Sequence, residues 1–194
     1  MMKNRTHRYM LYYGIALLAL ALTAGLIAIM AEGAGLLAVA ILFLLPGRIG
    51  GYYLKDLFRS RSLADQSRFN EAIDAGGAFL GDLRRQPWRR HFIYCFFGFY
   101  SWNVEAMARN NIGAARMQLG KIEQAAADLR HAMANDPDYP LPYFNLAIIA
   151  HVQGRVSEAD NLLSIAAEKG YSGGPIDRLI AGVGAAYAGL QAPT

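Results

Sequence analysis

The chain has 194 residues, 54% of them hydrophobic, and carries 19 Lys and Arg against 15 Asp and Glu. The basic excess is confined to one end: residues 1–61 hold seven Lys/Arg and only two acids, Glu32 and Asp56, whereas residues 62–194 hold 12 bases and 13 acids. A near-neutral body excludes a nucleic-acid-binding face, which needs clustered Lys and Arg on the folded part, and one cysteine, Cys95, excludes both a disulfide framework and a multi-cysteine metal site.

Tyr9 to Ala31 runs 23 residues without a formal charge. About 20 apolar helical residues cross the hydrocarbon layer of a bilayer, so this stretch is long enough to span. Lys3, Arg5 and Arg8 imitate the charged start of a secretory signal, but a signal's apolar core is about 7–15 residues long, and here a second apolar run follows at once. That run, Ala34 to Leu45, is interrupted by Pro46, Gly47 and Arg48 and resumes through Ile49, Tyr52, Tyr53 and Leu54. Two helices over about 9–31 and 34–54, joined by Ala31-Glu32-Gly33, are expected to form an antiparallel transmembrane hairpin within a domain spanning 1–61. A re-entrant or buried second segment is the alternative. Basic residues flank the hairpin at Lys3, Arg5 and Arg8 and again at Arg48, Lys55, Arg59 and Arg61, while its loop has none. This pattern places the N-terminus and everything after about residue 55 on the cytoplasmic side of a plasma or inner membrane. The lipid bilayer is therefore one expected partner.

Residues 62–105 read as a connecting segment. Leu63 to Leu83 has the spacing of an amphipathic helix. Arg84, Arg85, Trp88, Arg89 and Arg90 then precede the aromatic run Phe92 to Trp102. Two readings of that run stay open: aromatics buried against the neighbouring helices, or an interfacial patch with Trp88, Tyr94, Tyr100 and Trp102 at headgroup depth and the four arginines on anionic phosphates.

Residues 106–139 superpose on 140–173 without a gap. Asn111 falls on Asn145, Gly113 on Ala147, Gly120 on Gly154, Ile122 on Val156, Ala125 on Ala159, Leu129 on Leu163 and Ala132 on Ala166, a period of 34. Small residues let helices approach closely and large apolar ones fill the space between turns, while glycine suits the point where a helix stops and the chain reverses. Asn135-Asp136-Pro137-Asp138 ends one helical pair and opens the next.

These residues resemble the tetratricopeptide repeat. The first unit supplies the family's positions with Gly113, Gly120, Ile122, Ala125, Leu129, Ala132 and Pro137. The second supplies Ala147, Gly154, Val156, Ala159, Leu163 and Ala166, with Gly170-Tyr171 in place of the closing proline. Tyr143 and Leu146 stand where the family favours Trp and Leu; the first unit departs there, with Arg109 and Ile112. Within 62–105, Phe69 to Ile73 imitates the second helix of such a unit, yet Ala72 precedes Ala125 by 53 residues, which is not a multiple of 34. Together with the transmembrane hairpin read from hydropathy, the resemblance implies an all-α fold, the hairpin being followed by a short tetratricopeptide-like solenoid over 106–194. Its repeats are 106–139 and 140–173, closed by a capping helix over 174–190 that carries Ile176, Leu179, Ile180, Val183 and Tyr187. Ala181 is in frame with Gly113 and Ala147.

No nucleophile elbow, phosphate loop or zinc-helix motif is present, so no catalytic, cofactor-binding or metal-binding residue is assigned and no small-molecule substrate is expected. The resemblance implies instead that the first helix of each pair lines a groove for a partner's peptide or helix. Carried over by position, its residues are Met107, Asn110, Ala114 and Met117, then Leu141, Phe144, Ile148 and His151, with Arg178 in the closing helix. That surface is apolar, so the expected partner is an apolar or amphipathic protein segment. The chain reads as a membrane-tethered adaptor; the alternative is an accessory subunit of an integral membrane assembly, packed through its hairpin on partner helices.

Overall fold

The computed structural model describes residues 18–26, 29, 45, 47–96, 100–172 and 176–191, and among them there is no strand. The chain divides into two compact units, Met1–Tyr52 and Tyr53–Thr194. In the first, residues 18–26 are helical, and Leu18, Leu22 and Leu26, four apart, are each more than 60% exposed. The transmembrane hairpin expected over 9–31 and 34–54 lies largely outside the described residues. Among those described, no helix is long and apolar enough to cross a membrane.

The second unit contains α1 (Lys55–Asp65) and α2 (Phe69–Arg85), then a 3-10 segment (Pro87–Cys95). After these come α3 (Val104–Gln118), α4 (Ile122–Asn135), α5 (Pro140–Val152), α6 (Val156–Glu168) and α7 (Asp177–Gln191). Three antiparallel pairs, α1–α2, α3–α4 and α5–α6, stack in order, α2 on α3 and α4 on α5. The expected pairs at 106–139 and 140–173 are the second and third. The first pair lies where the sequence suggested a single helix from Leu63 to Leu83, and the chain turns there at Gln66–Arg68 instead.

All three turns are built alike. Ser67, Gly120 and Gly154 hold left-handed backbone at φ 60°, 72° and 75°. In each, the residue after the left-handed one donates back into the helix: Arg68 N–H to Leu63 O at 2.9 Å, Lys121 N–H to Arg116 O at 2.9 Å and Arg155 N–H to Ala150 O at 2.8 Å. These paired bonds satisfy carbonyls that a helix end leaves orphaned. Five residues after each turn comes a buried alanine, Ala72, Ala125 or Ala159. The first pair is therefore a repeat of the same geometry. Its offset of 53 exceeds the period because the 3-10 segment is inserted between α2 and α3.

Small residues sit where the helices cross. Ser60, Gly113 and Ala147 are equivalent and all buried. Ser60 Oγ donates to Ala72 O at 2.7 Å, tying α1 to α2. A β-carbon on Gly113 would meet Leu129 Cγ at 2.8 Å, and one on Gly76 would meet Ile112 Cγ1 at 2.7 Å. Close packing of this kind is what glycine permits at a crossing. Asn103 caps α3 by accepting from the N–H groups of Glu105 and Ala106, and its amide donates to Asn135 O at 2.8 Å, joining the start of α3 to the end of α4.

One apolar cluster joins Leu54, Leu57, Phe79, Leu83, Ile93, Met107 and Ile112 across the first two pairs. Leu54, expected at the end of the second transmembrane helix, and Leu57, within the expected 1–61 membrane domain, both face inward here. A second cluster joins Met117, Ile122, Leu129, Phe144, Ile148 and Ile149 with Val183 of α7.

The closing helix does not extend the stack. Its main packing partners are α5 and α3, the first helices of two pairs. Val183 is fully buried and Ile180 and Tyr187 partly so, whereas Ala181, the residue in frame with Gly113 and Ala147, is exposed. The stripe Ile176, Ile180, Val183, Tyr187 thus decides the seating, not the 34-residue frame.

Candidate functional site

The first helices α3 and α5 bring the expected groove residues onto neighbouring elements, but most of them face inward. Met107, Asn110, Met117, Phe144 and Ile148 are buried; Ala114 and Leu141 are partly buried; His151 and Arg178 are exposed. Met107 belongs to the cluster of the first two pairs, while Met117, Phe144 and Ile148 belong to the cluster that includes α7. Phe144 is also covered by Tyr171, ring centroids 4.3 Å apart. Burial, with the neighbouring Tyr100 in second place, raises the Tyr171 phenol above its ordinary pKa.

Polar links hold the first helices in register. The buried Asn145 amide donates to Asn110 Oδ1 at 3.0 Å. Its repeat equivalent, Asn111, donates to Leu57 O at 3.4 Å, and Leu57 is the equivalent of Asn110 one pair earlier. Each such asparagine therefore reaches back to the same position of the preceding pair. Within the second pair, Asp128 of α4, almost wholly buried, is bridged by Arg109 at 3.2 Å and by Arg116, both of α3. No pattern in the sequence signals this clamp, since Asp128 occupies an ordinary helical position.

The inserted segment carries a second group of candidate residues. Ile93 is fully buried and Phe92, Phe96 and Trp102 pack on the first cluster, while Trp88, Tyr94 and Tyr100 are about half exposed. One face of this run is therefore buried against the neighbouring helices, and the other is half exposed. Trp88 packs edge-on against Tyr53 and Phe92 at 4.8 and 5.6 Å. Arg84, Arg85 and Arg90 are exposed. Arg89 is turned inward, donating to Asp82 at 2.6 Å and lying over the Tyr53 ring at 5.5 Å. The hydrogen bond from Arg85 is the largest influence and, with the lesser one from Arg89, holds the Asp82 carboxyl below the usual carboxylate range against the opposing effect of burial.

Burial pushes the Cys95 thiol up, away from the thiolate that nucleophilic chemistry uses. Among the described residues no three His, Cys, Asp or Glu side chains are placed to hold a metal ion. What the arrangement offers is a stack of helical pairs whose apolar first-helix side chains are buried, Met117, Phe144 and Ile148 among them in one cluster with Val183 of α7.

Comparison with known proteins agrees with that description. The tetratricopeptide repeat family matches residues 116–175. A stretch of 62 residues is 37% identical to Tetratricopeptide repeat protein 8 of Caenorhabditis elegans; it covers 32% of this chain and 12% of that protein. The chain therefore matches only about an eighth of that relative's length. No solved structure matches.

Proposed function

We propose that this protein is a membrane-tethered scaffold that binds other proteins through the face of its first helices. The observation that carries the reading is the stack of three helical pairs, with apolar side chains of its first helices gathered under α7, coupled to the repeat similarity over 116–175. The binding partner is a protein segment, helical and apolar or amphipathic. Helices recognise such segments by burying side chains at i, i+3, i+4 and i+7 in an apolar groove.

The tether rests on the uncharged run from Tyr9 to Ala31 and the second run through Leu54. The exposed Leu18, Leu22 and Leu26 support it, since lipid would cover a stripe that water does not favour. The basic flanks favour an orientation with the N-terminus and the repeats on the cytoplasmic side. Arg84, Arg85, Arg90 and Trp88 then face the headgroups, and Arg89 buttresses Trp88's neighbour Tyr53 from within. Two measurements test the tether. The full chain should remain with membranes through alkaline carbonate extraction, and Trp88 in a Trp102→Phe chain should be quenched by brominated lipid; release by carbonate would overturn the anchor, and absence of quenching would overturn the interfacial patch.

The exposed leucine stripe also favours a second reading, in which the N-terminal segment packs on helices of a membrane complex as an accessory subunit. Purification in mild detergent separates the two. A stoichiometric membrane protein that survives high salt supports the subunit; a partner captured by the repeats and lost when they are unfolded supports the scaffold.

A further inference from the structure

The binding face of the scaffold is already occupied in this structure, and by a part of the chain itself. α7 lies across α5 and α3, the first helices of the last two pairs, and not on the end of the last pair. It inserts Val183 fully and Ile180 and Tyr187 partly into the cluster of Met117, Phe144 and Ile148. Without α7 those side chains would open an apolar patch on stacked helices, the kind of surface that is filled by a partner or aggregates.

α7 is a poor permanent cover. Gly182, Gly184 and Gly189 interrupt it, and glycine is among the weakest helix formers. Its outward face is mostly Ala and Gly, with Leu179 and Leu190 exposed. A helix held by one stripe and poor in intrinsic propensity is one that another helix can replace.

We propose that α7 is the built-in competitor of a docking site for an amphipathic helix, whose side chains follow the spacing of Ile180, Val183 and Tyr187. This deepens the scaffold reading and rests on it. A partner helix with the same stripe and better helix-forming residues takes the same contacts, and its apparent affinity is lowered by the fraction of chains in which α7 is seated.

The test uses the full chain in lipid nanodiscs and a labelled synthetic peptide with the sequence of residues 176–191. The native chain should bind it weakly, and Val183→Asp and Gly120→Ala chains, whose own α7 is unseated, at least ten-fold more tightly. The same peptide carrying Val183→Asp should not bind. On the native chain, excess peptide should speed amide hydrogen exchange in α7 and leave α4 unchanged, a readout that needs no variant to fold. Equal binding by native and substituted chains, or no change in α7 exchange at saturating peptide, overturns the proposal. A chain that captures other helical proteins while ignoring the peptide keeps the scaffold reading and loses this one; a chain that takes the peptide but captures no protein shows a displaceable α7 and overturns the scaffold reading, and with it the role of competitor.

Discussion

Gly120 and Ala186 meet backbone to backbone. A β-carbon at Gly120 would stand 2.7 Å from both the carbonyl carbon and the carbonyl oxygen of Ala186. The turn between α3 and α4 is thus also a seat for α7. Gly154, its repeat equivalent, has the same left-handed backbone but open space around it.

That pair separates backbone strain from contact. Gly154→Ala should cost about 1–2 kcal/mol, the left-handed penalty for an L side chain. Gly120→Ala should cost more, because the atoms it meets are backbone and only a shift of α7 relieves them. Denaturant unfolding and helix content by circular dichroism measure both. Equal costs, with α7 still helical at Gly120→Ala, would show that α7 does not rest on this turn.

Ser67 holds the same left-handed geometry without glycine. Ser67→Gly removes the side-chain penalty but gives the unfolded chain more freedom. The net expectation is a stabilisation of about 0.5–1 kcal/mol, seen as a higher denaturation midpoint. A loss of stability would mean that the first pair turns differently from the other two.

Asp128 neutralises two arginines on the facing helix. Replacing it with Ala leaves Arg109 and Arg116, each about a quarter to a third exposed, without their shared anion. Breaking a buried pair from one side costs about 3–5 kcal/mol, and the partial exposure of the arginines reduces the expectation to about 2–3 kcal/mol. Arg116→Ala should cost less, since Arg109 still compensates the carboxylate.

The Asp82 carboxylate, engaged by Arg85 and Arg89, sets a pH dependence at the other end of the molecule. Its pKa is lowered on folding, so its contribution is present above the unfolded value of about 4. It fades as pH falls through the folded value. Asp82→Asn should therefore weaken stability at pH 7 and make little difference near pH 2, with the gap closing between. A pH-independent difference would mean that Asp82 acts through packing alone.

Much of the fold was legible because a repeat writes itself twice. Gly120 and Gly154 announce their turns from a 34-residue spacing, and Ala125 and Ala159 their crossings. The first pair was hidden for two reasons with one origin: the inserted 3-10 segment breaks the frame, and Ser67 replaces the glycine that would have signalled the turn between α1 and α2. The site was less legible. Met117, Phe144 and Ile148 were placed on the right helices, but whether a first-helix side chain is open depends on what lies over it. That cover comes from α7, whose stripe was visible while its destination was not. Ala181 pointed to the end of the stack, and the deeper stripe through Val183 prevailed.

The seating of α7 on α3 and α5 is the central claim, and cysteine accessibility measures it most directly. In a Cys95→Ser chain in nanodiscs, single cysteines at Val183 and at Leu190 would be labelled with a water-soluble maleimide. Val183, fully buried, should react at least a hundred-fold more slowly than Leu190, which is 61% exposed. Equal rates at the two positions would contradict the account.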